Sequence, residues 1–81
     1  MDKLHVTIVS PECTLYDANV VSVSVPGEKG AFEILHNHAP IISSLSEGVV
    51  ACQGEEAFTL EIHGGFVEVA QNEVSICVEA K

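Results

Sequence analysis

The feature that most constrains the fold is the alternation of apolar and polar residues with a period of two. It is clearest in the runs 21–25 (Val-Ser-Val-Ser-Val) and 58–63 (Phe-Thr-Leu-Glu-Ile-His). Side chains two positions apart in a strand share one face, so Val21, Val23 and Val25 are expected inside, with Ser22 and Ser24 outside. No window of about eleven residues or more follows the helical period of 3.6. The sequence therefore predicts an all-β fold.

Turn signals divide the chain into eight or nine short strands with no internal repeat and no linker. The predicted strands lie at 4–9, 15–16, 21–25, 31–35, 41–45, 49–52, 58–63, 66–70 and 74–78. The second is expected to be interrupted at residues 17–19. The pair Gly64-Gly65 predicts a bulge, or a place where another backbone comes very close. The expectation is one domain, 1–81, folded as a small sandwich or barrel.

The charge pattern excludes several classes of partner. Twelve acidic residues stand against three lysines and no arginine, which gives a net charge of −9. Phosphate backbones are bound by Lys and Arg, so nucleic-acid binding is not expected, and a basic protein surface is the better partner. No run reaches the ~20 apolar residues of a membrane span, and no signal peptide is indicated. The three cysteines, Cys13, Cys52 and Cys77, have no CxxC spacing and are expected to be free, buried thiols of a reducing compartment.

The residues that could carry chemistry are few. His36 and His38 form an HxH pair, and a third ligand from His63 or Cys13 would complete a metal site. This leaves open an alternative function as a free-standing metal- or ligand-binding module. Asn37 and Pro40 instead indicate a loop, in which His38 forms a fixing hydrogen bond. His5 is expected at a surface or edge position. No serine lies in a GxSxG elbow and no carboxylate lies in an apolar setting, so neither enzyme activity nor a cofactor is predicted.

Motifs in a fixed order along nearly all 81 residues resemble the epsilon subunit of F-type ATP synthase, called delta in mitochondria. They comprise Val9-Ser10-Pro11-Glu12, Tyr16, Val25-Pro26-Gly27, Gly30, Phe32, Ile34-Leu35, His38-Ala39-Pro40, Gly48, Gly64-Gly65-Phe66-Val67-Glu68-Val69, Asn72 and Val74.

The resemblance implies an N-terminal β-sandwich of about ten strands without the family's C-terminal helical domain. It also implies a non-catalytic rotor subunit that couples proton translocation to ATP synthesis at the cytoplasmic face of the inner membrane. One end would face the ring of membrane c subunits, through Glu28, Lys29, Gly30, Ala31, Phe32, Glu33, His38, Ala39 and Pro40. Ala31 and Glu33 depart from some members, which have an acid and a glycine there.

The resemblance further implies a surface facing the gamma subunit of the central stalk. Its residues would be Ser10, Ile41, Ile42, Ser43, Gly64, Gly65 and Phe66. Small residues let another backbone approach, and exposed apolar side chains would form the centre of the interface. Ile41, Ile42 and Phe66 have a competing interpretation as ordinary core residues. If the glycine pair is where gamma approaches, Gly65→Val is expected to weaken binding and leave the fold largely intact.

Overall fold

The computed structural model describes residues 3–81 and contains eight β-strands. They are β1 (Leu4–Val9), β2 (Thr14–Val20), β3 (Ser22–Val25), β4 (Phe32–Leu35), β5 (Ile41–Leu45), β6 (Gly48–Gln53), β7 (Phe58–Ala70) and β8 (Glu73–Ala80). Within residues 3–81 no segment is helical, so the all-β prediction is confirmed.

The strands follow the order β2-β1-β8-β7-β6-β3-β4, and β5 also pairs with β7. All pairs are antiparallel except β1 with β8, which are parallel. The first part of β7 pairs with β6, and its last part pairs with β5. The long strand therefore belongs to both layers of the sandwich.

The predicted bulge lies where β7 changes partner. The register between β7 and β8 shifts between Ile62 and Gly64, which confirms the interpretation of the glycine pair as a bulge. Because the chain continues through the shift as one strand, the predicted segments 58–63 and 66–70 are two halves of β7. This merging is one reason why the described chain has eight strands where the resemblance implied about ten.

The core is built from aliphatic side chains at alternating strand positions. Ile8, Ile62 and Ile76 are fully buried, and they belong to one cluster that includes residues from every strand. Tyr16 of β2 stacks on Phe58 of β7 with ring centroids 4.1 Å apart and nearly parallel planes. This stack joins the two layers through the largest side chains that the chain offers.

The alternation of buried valines and exposed serines predicted for residues 21–25 is confirmed at some positions and wrong at others. Val23 and Val25 are buried, but Val21 is 40% exposed and Ser22 only 6%. The inward position before β3 is taken by Val20, the last residue of β2. Ser22 is covered because β3 lies between β4 and β6 in the sheet.

Two further predictions need correction. The interruption of the second strand at residues 17–19 is wrong, because Asp17, Ala18 and Asn19 all pair with β1. The three cysteines are free as predicted, but only Cys52 is fully buried, while Cys13 is exposed and Cys77 partly so. Burial raises the pKa of the Cys52 thiol to about 11, which keeps it protonated and unreactive at neutral pH.

Candidate interaction surfaces

A row of uncharged side chains crosses the outer surface of one layer. Phe66 of β7 is in register with Ser44 of β5 on one side and Cys77 of β8 on the other. Cys77 is in turn paired with Val9 of β1. Paired residues point to the same side of a sheet, so these four side chains form one row across four strands. We call this row, together with Ile42, the Phe66 face.

The Phe66 face exposes the largest apolar side chains of that layer. Ile42 is 73% exposed and Phe66 is 48% exposed. Ile42 lies diagonally next to Phe66, because its own partner across the β5–β7 pair is Glu68. The interpretation of Ile42 and Phe66 as core residues is therefore wrong. It is right for Ile41, which points inward and packs against the core cluster.

A groove of about 580 Å³ runs beside Phe66 and is lined by Ser10, Pro11, Gly64, Gly65 and Glu79, among others. The Ser10 hydroxyl accepts hydrogen bonds from the backbone N–H groups of Glu12 and Cys13, both at 3.3 Å. The Ser10 side chain thus holds its own turn, and what it offers a partner is its small size.

The two glycines have different surroundings. A Cβ on Gly65 would overlap the carbonyl oxygen of Cys77 and lie 2.9 Å from the Cα atom of Val78, and the φ of Gly65 is +153°. A Cβ on Gly64 would meet only the Leu45 oxygen, at an ordinary 3.5 Å. The backbone that approaches Gly65 is therefore β8 of the same chain. This geometry argues against the expectation that Gly65→Val leaves the fold intact.

The structure divides the set that the sequence assigned to the gamma-facing surface. Ser10, Gly64, Gly65 and Phe66 come together at the groove. Ile41, Ile42 and Ser43 line a second groove, with Phe32 and the loop 27–30. Ile42 connects the two areas because it points outward beside Phe66. Sequence reasoning missed Val9, Ser44 and Cys77, whose place in the row follows from strand register alone.

The loop between β3 and β4 is tied to β5. The N–H of Glu28 donates to the Ser44 oxygen at 3.1 Å, and Gly27 forms a β-bridge with Leu45. Ser46 donates to the Pro26 oxygen through its N–H at 2.8 Å and its hydroxyl at 3.2 Å. The predicted ring-facing residues then separate by exposure. Phe32 packs against the core, whereas the residues free to meet a partner are Glu28, Lys29, Gly30, Ala31 and Glu33.

The turn 36–40 connects β4 to β5. The N–H of His38 donates to the Leu35 oxygen at 3.1 Å, and its ring Nδ1 bonds the Ala39 oxygen at 2.7 Å, as predicted. Ala39 and Pro40 are exposed. Ile41, which follows Pro40, lines the same groove as the loop 27–30. The two predicted ring-facing segments nevertheless lie at opposite ends of β4 and of β5, because the loop contacts Ser44 and Leu45 while the turn leads into Ile41.

The histidine pair does not form a metal centre. The Nδ1 atom of His36 faces the Lys3 oxygen at 3.4 Å, while His38 bonds within its own turn. His63 lies instead near Glu47, at 3.7 Å. Among residues 3–81, no three His, Cys, Asp or Glu side chains are placed to share a metal ion.

Acidic side chains border the surfaces described above, and one of the three lysines is already paired with an acid. Lys81 is paired with Glu47 at 2.8 Å, and the hydrogen bond between them lowers the pKa of Glu47 and raises that of Lys81. Glu68 and Glu79, which border the Phe66 face and its groove, are exposed. In the described part of the chain, no helix is long and apolar enough to cross a membrane.

The fold and its surfaces indicate a general class of protein. The molecule is a β-sandwich with exposed apolar side chains on one sheet face and polar connections before and after β4, which is the arrangement of a binding domain. Over residues 3–81 the sequence matches the model of the family described as "ATP synthase, Delta/Epsilon chain, beta-sandwich domain". The chain belongs to this family, and the resemblance found in the sequence is confirmed.

Individual relatives agree with the family assignment. The ATP synthase epsilon chain of Leptospira borgpetersenii is 45% identical over 78 residues, which is 95% of this chain and 61% of the relative. That of Maricaulis maris is 46% identical over 96% of this chain and 59% of its own. That of Caulobacter vibrioides is 39% identical over 98% of this chain and 93% of its own. The chain thus spans about three fifths of the first two relatives and nearly all of the third.

Solved structures show the same fold. A chain of the mitochondrial ATP synthase of Euglena gracilis, in an assembly of OSCP, F1 and c-ring, superposes with a TM-score of 0.88. It is 20% identical, over 96% of this chain and 51% of that one. A chain of the central stalk and c-ring of the Tetrahymena thermophila enzyme gives a TM-score of 0.80, also at 20% identity and over 96% of this chain and 64% of that one.

Proposed function

We propose that this chain is a rotor domain that joins the gamma subunit to the c-ring, and so couples proton translocation to ATP synthesis. The observation that carries the proposal is the presence of different surfaces on one sandwich, the Phe66 face with its exposed Ile42 and Phe66, and the polar segments 28–33 and 38–40. Its relatives bear the name ATP synthase epsilon chain, and one structural neighbour belongs to a central stalk and c-ring. These findings favour the rotor function over the metal-binding alternative.

The Phe66 face suits the gamma subunit. Interface centres are depleted in charge and enriched in aromatic side chains. Here Phe66 and Ile42 stand exposed among small side chains such as Ser44 and Cys77, so a helix could pack closely against the strands. Glu68 and Glu79 at the border would favour basic residues on the partner and set its orientation.

The polar loop before β4 suits the c-ring. Glu28, Lys29 and Ala31 are exposed on a loop whose first residues are bonded to β5 and whose last residue leads into β4, so the loop presents a defined shape. Both signs of charge are present there, and polar loops of a ring can be met without a large apolar contact. Through this contact the chain would lie at the cytoplasmic face of the inner membrane, held there by another protein.

The gamma contact is tested by replacing one side chain of the Phe66 face. Phe66→Ser should weaken binding to the cognate gamma subunit by about tenfold or more, because aromatic residues at an interface centre carry much of the binding energy. Val49→Ser is the matched control, since Val49 is 47% exposed on β6, beside Glu61 of the other half of β7. Titration calorimetry measures the affinity of both variants for the gamma subunit. Equal binding by Phe66→Ser and wild type would contradict the proposed surface.

A further inference from the structure

Asn72, in the hairpin between β7 and β8, makes hydrogen bonds to two other parts of the chain. Its backbone oxygen accepts the N–H of His5 at 2.9 Å. Its side-chain Oδ1 accepts the N–H of Asn37 at 2.6 Å, and its Nδ2 donates to the Asn37 Oδ1 at 3.2 Å. We propose that Asn72 is a positioning residue, which fixes the turn 36–40 and with it the predicted ring-facing residues 38–40, without itself meeting the ring.

The other hydrogen bonds of the turn 36–40 either join residues close in sequence or have a long donor–acceptor distance. The bonds that His38 makes to Leu35 and Ala39 close the turn on itself. The contact from the His36 ring to Lys3 reaches 3.4 Å. The bond from Asn37 to Asn72 is the shortest that joins the turn to a distant segment, and it spans 35 residues of sequence. It therefore decides where the turn sits relative to the hairpin.

The backbone conformation of both asparagines supports a role for their side chains. Asn37 has a φ of 64° and Asn72 a φ of 61°, both in the left-handed region. Glycine adopts this conformation at least as readily as asparagine, and it is the common second residue of a two-residue hairpin with two positive φ values. Asn72→Gly therefore keeps the hairpin and removes the two side-chain bonds.

Gln71 supplies the matched control. It is the other central residue of the same hairpin, has a φ of 51° and is exposed. Gln71→Gly makes the same backbone change next to Asn72 and leaves the bonds to Asn37 in place. Asn72→Asp keeps an oxygen that accepts the N–H of Asn37, so it should restore most of what Asn72→Gly loses.

The first experiment measures amide exchange by NMR on the whole chain, and it does not depend on any partner. We expect the amide of Asn37 to exchange about tenfold faster in Asn72→Gly than in wild type. Gln71→Gly should behave as wild type, and Asn72→Asp should be close to it. Unchanged exchange at Asn37 in Asn72→Gly would overturn the positioning role.

The second experiment rests on the proposed function and measures binding to the detergent-solubilised cognate c-ring. Asn72→Gly should weaken ring binding about fivefold, while Gln71→Gly should not, and both should bind gamma as wild type does. If exchange rises in Asn72→Gly and ring binding stays the same, the inference fails and the proposed function stands. A wild-type chain that does not bind the ring would overturn the proposed function, and with it the ring part of the inference.

Discussion

At the scale of single residues, His5 is a partly exposed residue whose side chain links β1 to β2 and β8. It lies on β1 between β2 and β8, where its Nε2 meets Asp17 at 2.6 Å and its Nδ1 meets Glu73 at 3.1 Å. The prediction of a surface position is confirmed, since the side chain is 37% exposed. Its two partners lie 12 and 68 residues away, and only the strand register brings them to the ring.

The stability of the chain should therefore depend on pH through His5. The hydrogen bonds to Glu73 and then Asp17 raise the pKa of His5 above 6.5 in the folded state. The stabilisation is fully present below about pH 6.5, while both carboxylates stay charged, and it is lost as the pH rises through the raised folded pKa. His5→Gln should lower the melting temperature more at about pH 5.5 than at about pH 8.5.

Thermal unfolding followed by circular dichroism at both pH values tests this expectation. His63→Gln is the control, because within residues 3–81 the His63 ring has one carboxylate closer than 4 Å, that of Glu47 at 3.7 Å. Equal losses of melting temperature at the two pH values for His5→Gln would contradict the role of the charged ring.

At the scale of elements, β7 organises the sandwich. It pairs with β8 along one edge and, on the other, with β6 and then β5. The register with β8 shifts between Ile62 and Gly64, and Gly65, which follows the shift, has a φ of +153° and lies too close to β8 to carry a side chain. The strand can then shift register and still continue, as bulges allow.

Substitutions at the two glycines should differ in their effect on the free energy of unfolding. Gly65→Val should lower the free energy of unfolding by about 3 kcal/mol or more, because the new side chain meets backbone atoms and the φ is strained. Gly64→Ala should change it by about 1 kcal/mol or less, since its Cβ finds an ordinary contact. Urea denaturation gives both values. A Gly65→Val variant as stable as wild type would show that β8 is not the close neighbour.

Much of the element pattern was predictable from local sequence. The strands 4–9 and 41–45 were predicted at their observed bounds, since alternation and the turn residues around them act locally. The exposure of Val21 and the burial of Ser22 were not predictable, because they depend on which strand lies on each side. The same reason applies to the surfaces. Phe66 was found from the sequence, but its row with Ser44, Cys77 and Val9 required the register.

At the scale of the whole molecule, one small body carries two different surfaces. The sandwich measures 32 × 24 × 18 Å, and the Phe66 face meets the loop 27–30 at Ile42 and Ser44, which also line the groove beside that loop. Its net charge of −9 favours basic partners and disfavours acidic ones. The fold supplies rigidity through a continuous core, and the loops and one sheet face supply recognition.

The most direct test of the account is whether the chain bridges the gamma subunit and the c-ring in one assembly, measured by analytical ultracentrifugation. Wild type should sediment with both partners together. Phe66→Ser should retain the ring and lose gamma. Ala31→Trp, which adds bulk to the exposed loop, should retain gamma and lose the ring, whereas the control Ala57→Trp, at another exposed loop alanine, should bridge both. A chain that binds only one partner, or that loses both partners through either single change, would contradict the account.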